Sequence, residues 1–175
     1  GEELKQKDYF SSDLKEILLK TDSKKERLSL IFQFVQNRMN WTGKKGYLVD
    51  KGVKKAFEEK SGNVAEINFI LISMLKTAGI EANPVLVSTV ENGVPVFPNR
   101  TVFNYVIGAA EIEGQKILLD ASNKFTTPNI LPLNVLNWKG RLIKEDGSSQ
   151  EIELIPKNAS KDNYTIIASI NTELE

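Results

Sequence analysis

The apolar residues of this chain change their spacing once, near Gly79. Before that glycine they recur every three or four positions, which places them on one face of an α-helix. After it, short extended stretches alternate with turn sequences such as Asp146-Gly147, a pattern typical of antiparallel strands joined by hairpins. Helices followed by strands predict an α+β fold, in which N-terminal helices pack on an antiparallel sheet.

A helix over about residues 24–39 is predicted by a cap and an apolar stripe. Ser23 and Glu26 have the three-residue spacing of a capping box. The apolar positions that follow repeat at helical spacing: Leu28, Ile31, Phe32, Val35 and Met39. A shorter helix is predicted near residues 51–59, and the polar residues 1–10 are predicted to form a loose lead-in.

The most apolar helix is predicted to begin after Asn63 and to run to about Ala78. Asn63 suits the N-cap, and Glu66 lies three residues on, where its carboxylate reaches back to the cap amide. The apolar residues of the helix cover a wide face: Ile67, Ile70, Leu71, Met74 and Leu75. A face of this width predicts a central, buried helix, and Gly79 fits the left-handed position that ends it.

Extended segments after this helix supply the strands of the predicted sheet. They are residues 84–89, 103–109, 116–120, 140–144 and 151–155. Beyond a polar break, the apolar residues 164–170 are expected to dock as an edge strand, because unpaired strand amides are costly when buried. The sequence predicts one domain over residues 1–156, and a linker with a terminal strand over residues 157–175. The alternative for that strand is the start of a downstream β domain.

Two residue types that carry much of enzyme chemistry are missing. The 175 residues include no cysteine and no histidine. The first absence removes thiolate nucleophiles and disulfides, and the second removes the commonest general base and metal ligand near neutral pH. Lysine plus arginine balances aspartate plus glutamate at 23 each, which argues against a general affinity for nucleic acid. No metal, cofactor or nucleic-acid partner is predicted, and no apolar run reaches the ~18 residues of a membrane span.

Several short motifs, in this order of elements, resemble the transglutaminase-core superfamily, whose domains have a papain-like fold. The likeness covers residues 24–125. Residues 39–41, "MNW", are similar to the end of the family's leading helix and its tryptophan, and residues 61–64, "SGNV", stand where the family has its nucleophilic cysteine. The motif "VFNYVIG" stands where the family carries a histidine on a strand, and "KILLDAS" is similar to the strand that ends in an orienting aspartate. The resemblance is strongest to bacterial envelope proteins, in which this domain lies between β-rich domains.

The resemblance implies a catalytic triad in which two members have been replaced. It places Val64 at the cysteine position, Tyr105 at the histidine position and Asp120 at the carboxylate position. In the family, the histidine accepts a proton from the thiol and the carboxylate orients the histidine. An aliphatic side chain supplies no nucleophile, and a phenol with an ordinary pKa of about 10 keeps its proton at neutral pH. We therefore expect no acyl-transfer activity, and a structural hydrogen bond between Tyr105 and Asp120.

Three functions remain open. The leading prediction is a non-catalytic binding or structural module whose partners are neighbouring domains of a longer protein, which is periplasmic or envelope-associated by resemblance alone. The first alternative is a carbohydrate- or peptide-binding module. It would use the former active-site cleft, lined by Trp41, Tyr47, Asn63 and Tyr105. The second alternative is an enzyme with non-thiol chemistry, based on the carboxylates of Asp120 and Glu66 together with Tyr105. An open cleft favours binding, and a cleft filled by Val64 and Tyr105 favours the structural role.

Overall fold

The computed structural model of the chain describes residues 2–94, 102–155 and 164–167. Its α-helices are α1 (Ser11–Leu18), α2 (Lys24–Arg38), α3 (Val53–Glu59) and α4 (Val64–Thr77). Its strands are β1 (Asn40–Trp41), β2 (Ser61–Gly62), β3 (Glu81–Val87), β4 (Tyr105–Ile112), β5 (Gln115–Leu119), β6 (Lys139–Ile143) and β7 (Ser149–Glu153). The predicted order of helices before the sheet is confirmed, because the two strands that precede α4 pair only with each other.

Five strands form one antiparallel sheet, in the order β5-β4-β3-β6-β7. β3 lies at its centre, with β4 on one side and β6 on the other. The turn between β4 and β5 has a positive φ at both Glu113 and Gly114, 52° and 73°, which suits the twist of a tight hairpin. β1 and β2 form a separate parallel pair just before α4. The α+β architecture predicted from the sequence is therefore confirmed.

Helix α4 lies at the centre of the core, as predicted. Asn63 is its N-cap, and the side-chain oxygen of Asn63 accepts a hydrogen bond from the Glu66 amide at 2.9 Å. The Glu66 carboxylate accepts in turn from the Asn63 amide at 2.8 Å. The predicted apolar face is fully buried: Ile67, Ile70, Leu71, Met74 and Leu75. The helix packs against β3 and β4 as well as α2 and α3, and Gly79, with a φ of +76°, follows its end.

The core consists of two apolar clusters, and the second of them contains the start of α4. The larger cluster joins the four α-helices to residues of β3, β4 and β5. The second cluster joins β3, β4, β6 and β7 to Leu131 and Val135, which belong to the segment between β5 and β6. Val64 and Tyr105 both belong to this second cluster. The start of the central helix is therefore packed into apolar surroundings.

The prediction of a loose lead-in is wrong for the residues that the structure describes there. They form two short 3-10 helices, Glu2–Lys5 and Asp8–Phe10. Phe10 is completely buried, and the Glu3 carboxylate accepts a hydrogen bond from the Val53 amide at 2.9 Å. This contact satisfies a free amide at the start of α3. The prediction failed because one buried phenylalanine among charged residues produces no periodic pattern.

The edge strand expected over residues 164–170 is not formed by residues 164–167, for which that expectation is wrong. These residues have no strand structure, and Tyr164, Ile166 and Ile167 are 87–91% exposed. Residues 168–170 lie outside the described residues, and the domain boundary at residue 156 stays a prediction. Within the described part of the chain, no helix is both long enough and apolar enough to cross a membrane.

Candidate functional site

The three positions that the family resemblance assigns to the triad lie together where α4 begins. Val64 is the first residue of α4, Tyr105 is the first residue of β4, and Asp120 directly follows β5. All three are buried, and Val64 and Tyr105 belong to the same apolar cluster. The Tyr105 hydroxyl donates a hydrogen bond to Asp120 Oδ2 at 2.9 Å. The structural hydrogen bond expected between Tyr105 and Asp120 is therefore present.

Asp120 is a buried carboxylate surrounded by donors. Besides the Tyr105 hydroxyl, the Ser122 hydroxyl donates to its Oδ1 at 2.6 Å, the Ser122 amide donates at 3.0 Å, and Asn68 Nδ2 donates at 3.0 Å. A carboxylate that leaves water must regain its hydrogen bonds inside the protein, and bonds to a charged acceptor are the strongest kind. Both carboxylate oxygens of Asp120 therefore accept hydrogen bonds from groups of the domain itself.

Burial raises the pKa of the Tyr105 hydroxyl above its ordinary value, and the nearby Asp120 charge raises it further. The hydroxyl oxygen also lies 3.0 Å from Ser122 Oγ. A phenol with a raised pKa keeps its proton at neutral pH, so it cannot act as the general base that the resemblance assigns to this position. Val64, which the resemblance assigns to the nucleophile position, has no proton to give. The arrangement therefore has neither the proton donor nor the proton acceptor of the transfer that activates a thiol.

Sequence analysis missed Asn68, which joins this network to α4. Its Nδ2 donates to the Val106 carbonyl at 3.0 Å as well as to Asp120, and its Oδ1 accepts from the Ala121 amide at 2.9 Å. The side chain ties the helix to β4 and to the segment after β5. A sign was visible in the sequence, since an asparagine within a buried apolar helix needs hydrogen-bond partners. Ser122 offered no such sign, because a serine after a strand is usually part of a turn.

Glu66, the second carboxylate of the alternative enzyme, accepts hydrogen bonds from nearby backbone amides. Its Oε1 accepts from the amides of residues 50, 51 and 52 at 2.6–3.1 Å, and its Oε2 accepts from the Asn63 amide. The side chain is completely buried. Glu66 therefore fastens the loop before α3 onto the first turn of α4. Among the described residues, no group of three or more acidic, cysteine or histidine side chains is arranged to hold a metal ion.

The four residues predicted to line a ligand cleft do not share an open surface. Asn63 and Tyr105 are buried, and Tyr47 is half-buried. Trp41 is 43% exposed, and its indole Nε1 donates to the Lys44 carbonyl at 3.0 Å. Two surface depressions, of about 130 and 590 Å³, lie elsewhere, near Glu81, Asn83 and Lys144. Val64 and Tyr105 are buried in one apolar cluster, and the ligand cleft stays a prediction.

Fold and site together define a papain-like α+β domain whose catalytic positions hold other residues. The family model described as the transglutaminase-like superfamily matches residues 14–117, which is more than half of the chain. The chain belongs to this superfamily. The match confirms the resemblance drawn from the short motifs.

Two solved bacterial structures share the fold. The first is described as a "putative protease" from Parabacteroides distasonis; it covers 89% of this chain with a TM-score of 0.61 at 18% identity. The second, a "putative cysteine protease" from Cytophaga hutchinsonii, also covers 89% of this chain, with a TM-score of 0.52 at 16% identity. This chain spans only 30% and 48% of those two chains. A search of curated protein sequences gives no match.

Proposed function

We propose that this chain is a non-catalytic transglutaminase-like domain that serves as a binding or structural module within a larger protein. One observation carries the proposal. Val64 is buried at the nucleophile position, while Tyr105 and Asp120 are joined in a closed hydrogen-bond network. No cysteine or histidine exists elsewhere in the sequence to replace either lost group.

The network also supports a structural role for the positions that carry chemistry in the family. A buried polar network stabilises a unique arrangement only when all its members have partners, and a partly satisfied one is costly. Here Asn68 and Ser122 complete the bonds of Asp120. The network joins α4, β4 and the segment after β5, so the former site fixes the relative position of three elements.

Neighbouring domains of a longer bacterial envelope protein are the proposed partners. Two observations support this part of the proposal. The short motifs are most similar to those of bacterial envelope proteins, and the chain spans less than half of each of the two similar bacterial chains. Interfaces between domains of one chain resemble transient protein–protein interfaces, so relative motion of the neighbouring domains is expected.

Catalysis is tested directly on the purified protein, by labelled-amine incorporation and by peptide hydrolysis. We expect no turnover above the background without protein, while a papain-like protease assayed in parallel shows that the assay is sensitive. An Asp120→Asn variant completes the experiment. Turnover by the wild type that this variant loses would overturn the non-catalytic proposal and favour the carboxylate-based alternative.

The exposure of Trp41 favours a second candidate, the binding of peptides or glycans at the start of α4. A half-exposed indole offers an apolar face to a ligand. Trp138 is a matched control, because it is exposed to nearly the same extent, 45% against 43%. Short peptides and oligosaccharides are titrated against Trp41→Ala and Trp138→Ala. Binding lost only in Trp41→Ala supports this candidate, whereas no binding, or equal loss in both variants, rejects it.

A further inference from the structure

Residues 43–46, here called the strap, cross the start of α4 and satisfy two of its neighbouring donors. The Lys44 carbonyl oxygen accepts hydrogen bonds from the Val64 amide at 3.3 Å and from the Trp41 indole Nε1 at 3.0 Å. Val64 begins α4, so its amide has no partner within its own helix. A single main-chain oxygen therefore accepts hydrogen bonds from two N–H groups at the start of α4.

Glycines form both ends of the strap. Gly43 has a φ of +86° and Gly46 has a φ of +150°, values that other residues rarely adopt. A Cβ at Gly43 would meet no atom within 4 Å. The positive φ, and not a lack of space, therefore favours glycine at this position. Backbone rotation at a glycine meets little steric resistance. The two glycines therefore give the strap a hinge at each end.

Hydrogen bonds outside the strap anchor the chain on either side of it. Before it, the Thr42 amide donates to the Gly62 carbonyl at 3.0 Å, which continues the pairing of β1 with β2. After it, the Leu48 carbonyl accepts from Asn63 Nδ2 at 2.8 Å. The strap can therefore move while the hydrogen bonds at Thr42 and Leu48 keep the rest of the loop in place.

Exposed ion pairs hold the side chains of the strap. Lys45 lies 2.5 Å from a carboxylate oxygen of Glu91, and Lys44 pairs with Asp50. The side chains of these pairs are 31–68% exposed. Pairs with this exposure contribute little, because water and salt screen them. The strap is therefore closed mainly by the two hydrogen bonds to the Lys44 carbonyl.

We propose that the strap opens by itself, by rotation at its glycines, while α4 and the sheet stay folded. In the closed state the Lys44 carbonyl covers the Val64 amide and the Trp41 indole. In the open state both N–H groups face solvent at the mouth of the former cleft. The inference does not depend on the absence of catalysis, because it concerns only the closed and open states of the main chain.

Hydrogen exchange followed by NMR tests the opening, because each exchange rate reports the opening that exposes that proton. Gly43→Ala strains the closed strap at a φ of +86° without creating a clash. Gly147→Ala is its matched control, since Gly147 has a φ of +84° and equally open surroundings in the β6–β7 hairpin. We expect roughly tenfold faster exchange at the Val64 amide and the Trp41 indole in Gly43→Ala alone. The Ile67 amide, which bonds within α4, serves as the reference and keeps its rate.

A second pair of variants protects the test against a folding defect in Gly43→Ala. Lys45→Ala removes one of the two ion pairs of the strap, the pair with Glu91, and Lys139→Ala removes a pair of similar exposure between β6 and β7. We expect about two- to threefold faster exchange at the two strap-covered protons in Lys45→Ala alone. If both protons exchange in step with the Ile67 amide in the wild type and in these variants, the strap opens only with the whole domain and the proposal is wrong.

Discussion

At residue 105, a phenol stands where the family resemblance places an imidazole, and the two groups differ in their proton chemistry. An imidazole near neutral pH gives and takes protons, whereas a buried phenol with a raised pKa keeps its proton. The Tyr105 hydroxyl uses that proton in a hydrogen bond to Asp120. In this chain the hydroxyl therefore anchors a buried carboxylate and does not exchange protons with it.

Tyr105→Phe should lower the free energy of unfolding by about 1–3 kcal/mol at pH 7, because it removes one donor from a buried carboxylate. Urea denaturation of wild type and variant measures the difference. Ser11→Ala is a suitable control, since that exposed hydroxyl donates only to the Lys7 carbonyl and its loss should cost much less. A Tyr105→Phe variant as stable as the wild type would show that the network adds nothing to stability.

The same pair of proteins should show a defined pH dependence. In the unfolded chain Tyr105 ionises near pH 10, whereas in the fold burial and the Asp120 charge hold its pKa higher. Its stabilising contribution is therefore complete below about pH 10 and is lost as the pH rises towards the folded-state pKa. Urea denaturation at pH 7 and at pH 10.5 should show the gap between wild type and Tyr105→Phe narrowing at the higher pH. A gap that widens would contradict the raised pKa.

Part of the site follows from the sequence, and part does not. The capping box of Asn63 and Glu66 was predictable because it depends on two side chains at a fixed local spacing. The bond between Tyr105 and Asp120 followed only from the family resemblance, because Tyr105 begins β4 and Asp120 lies 15 residues later, after β5. The role of Lys44 could not be predicted, since it acts through a main-chain carbonyl that every residue type carries.

At the scale of elements, the first turn of α4 organises the chain in front of it. The Glu66 carboxylate accepts hydrogen bonds from four backbone amides, one from the N-cap residue Asn63 and three from residues 50–52. Gly62 leaves room for this carboxylate, because a Cβ there would lie 3.0 Å from Glu66 Oε2 and 3.2 Å from the Ala56 Cβ. A capping residue that usually serves one helix here also fixes the loop that leads into α3.

Glu66→Gln should therefore destabilise the domain by about 1–3 kcal/mol, because its new NH₂ group faces backbone amides that also need an acceptor. Glu16→Gln, on an exposed position of α1, makes the same chemical change at the surface and should stay within about 0.5 kcal/mol of the wild type. Chemical denaturation of the three proteins gives the comparison. Equal stability of the two variants would mean that the loop is held by other contacts.

The buried face of α4 gives a further prediction. Leu71→Ala or Met74→Ala should each cost about 2–5 kcal/mol, since both side chains are completely buried and their truncation leaves a cavity. Leu19→Ala removes a leucine that is 79% exposed and should be nearly neutral. The free energy of unfolding, measured in urea, decides. Near-neutral results for both core variants would mean that the packing of the helix has been assigned incorrectly.

The elements themselves were predictable in proportion to their length and pattern. α2 and α4 carry long apolar stripes with caps, and the structure places them within one or two residues of the predicted bounds. β1 and β2 contain two residues each, which is too short for any alternation to show. The 3-10 helices near the N-terminus contain four and three residues. They were missed for the same reason, because an element this short shows no periodic pattern.

At the scale of the whole molecule, the two end regions of the chain differ in how they join the core. Near the N-terminus, Phe10 is completely buried and Glu3 caps α3. Near the C-terminus, Leu154 is the last buried residue that the structure describes, and residues 164–167 are exposed. The domain boundary at residue 156 stays a prediction, which truncation at either end of the chain can test.

Two truncations make the test. Removal of residues 1–10 should cost about 2.5–4 kcal/mol, because it removes the burial of Phe10, roughly 1.5–3 kcal/mol, and the cap from Glu3, about 1 kcal/mol. Removal of residues 157–175 should leave the free energy of unfolding within about 0.5 kcal/mol of the full chain, because the residues described in that segment, 164–167, are exposed. Both are measured by urea denaturation at two protein concentrations, so that any stabilisation by association is visible. A C-terminal truncation as harmful as the N-terminal one would place residues 157–175 inside the domain and move the boundary beyond residue 156.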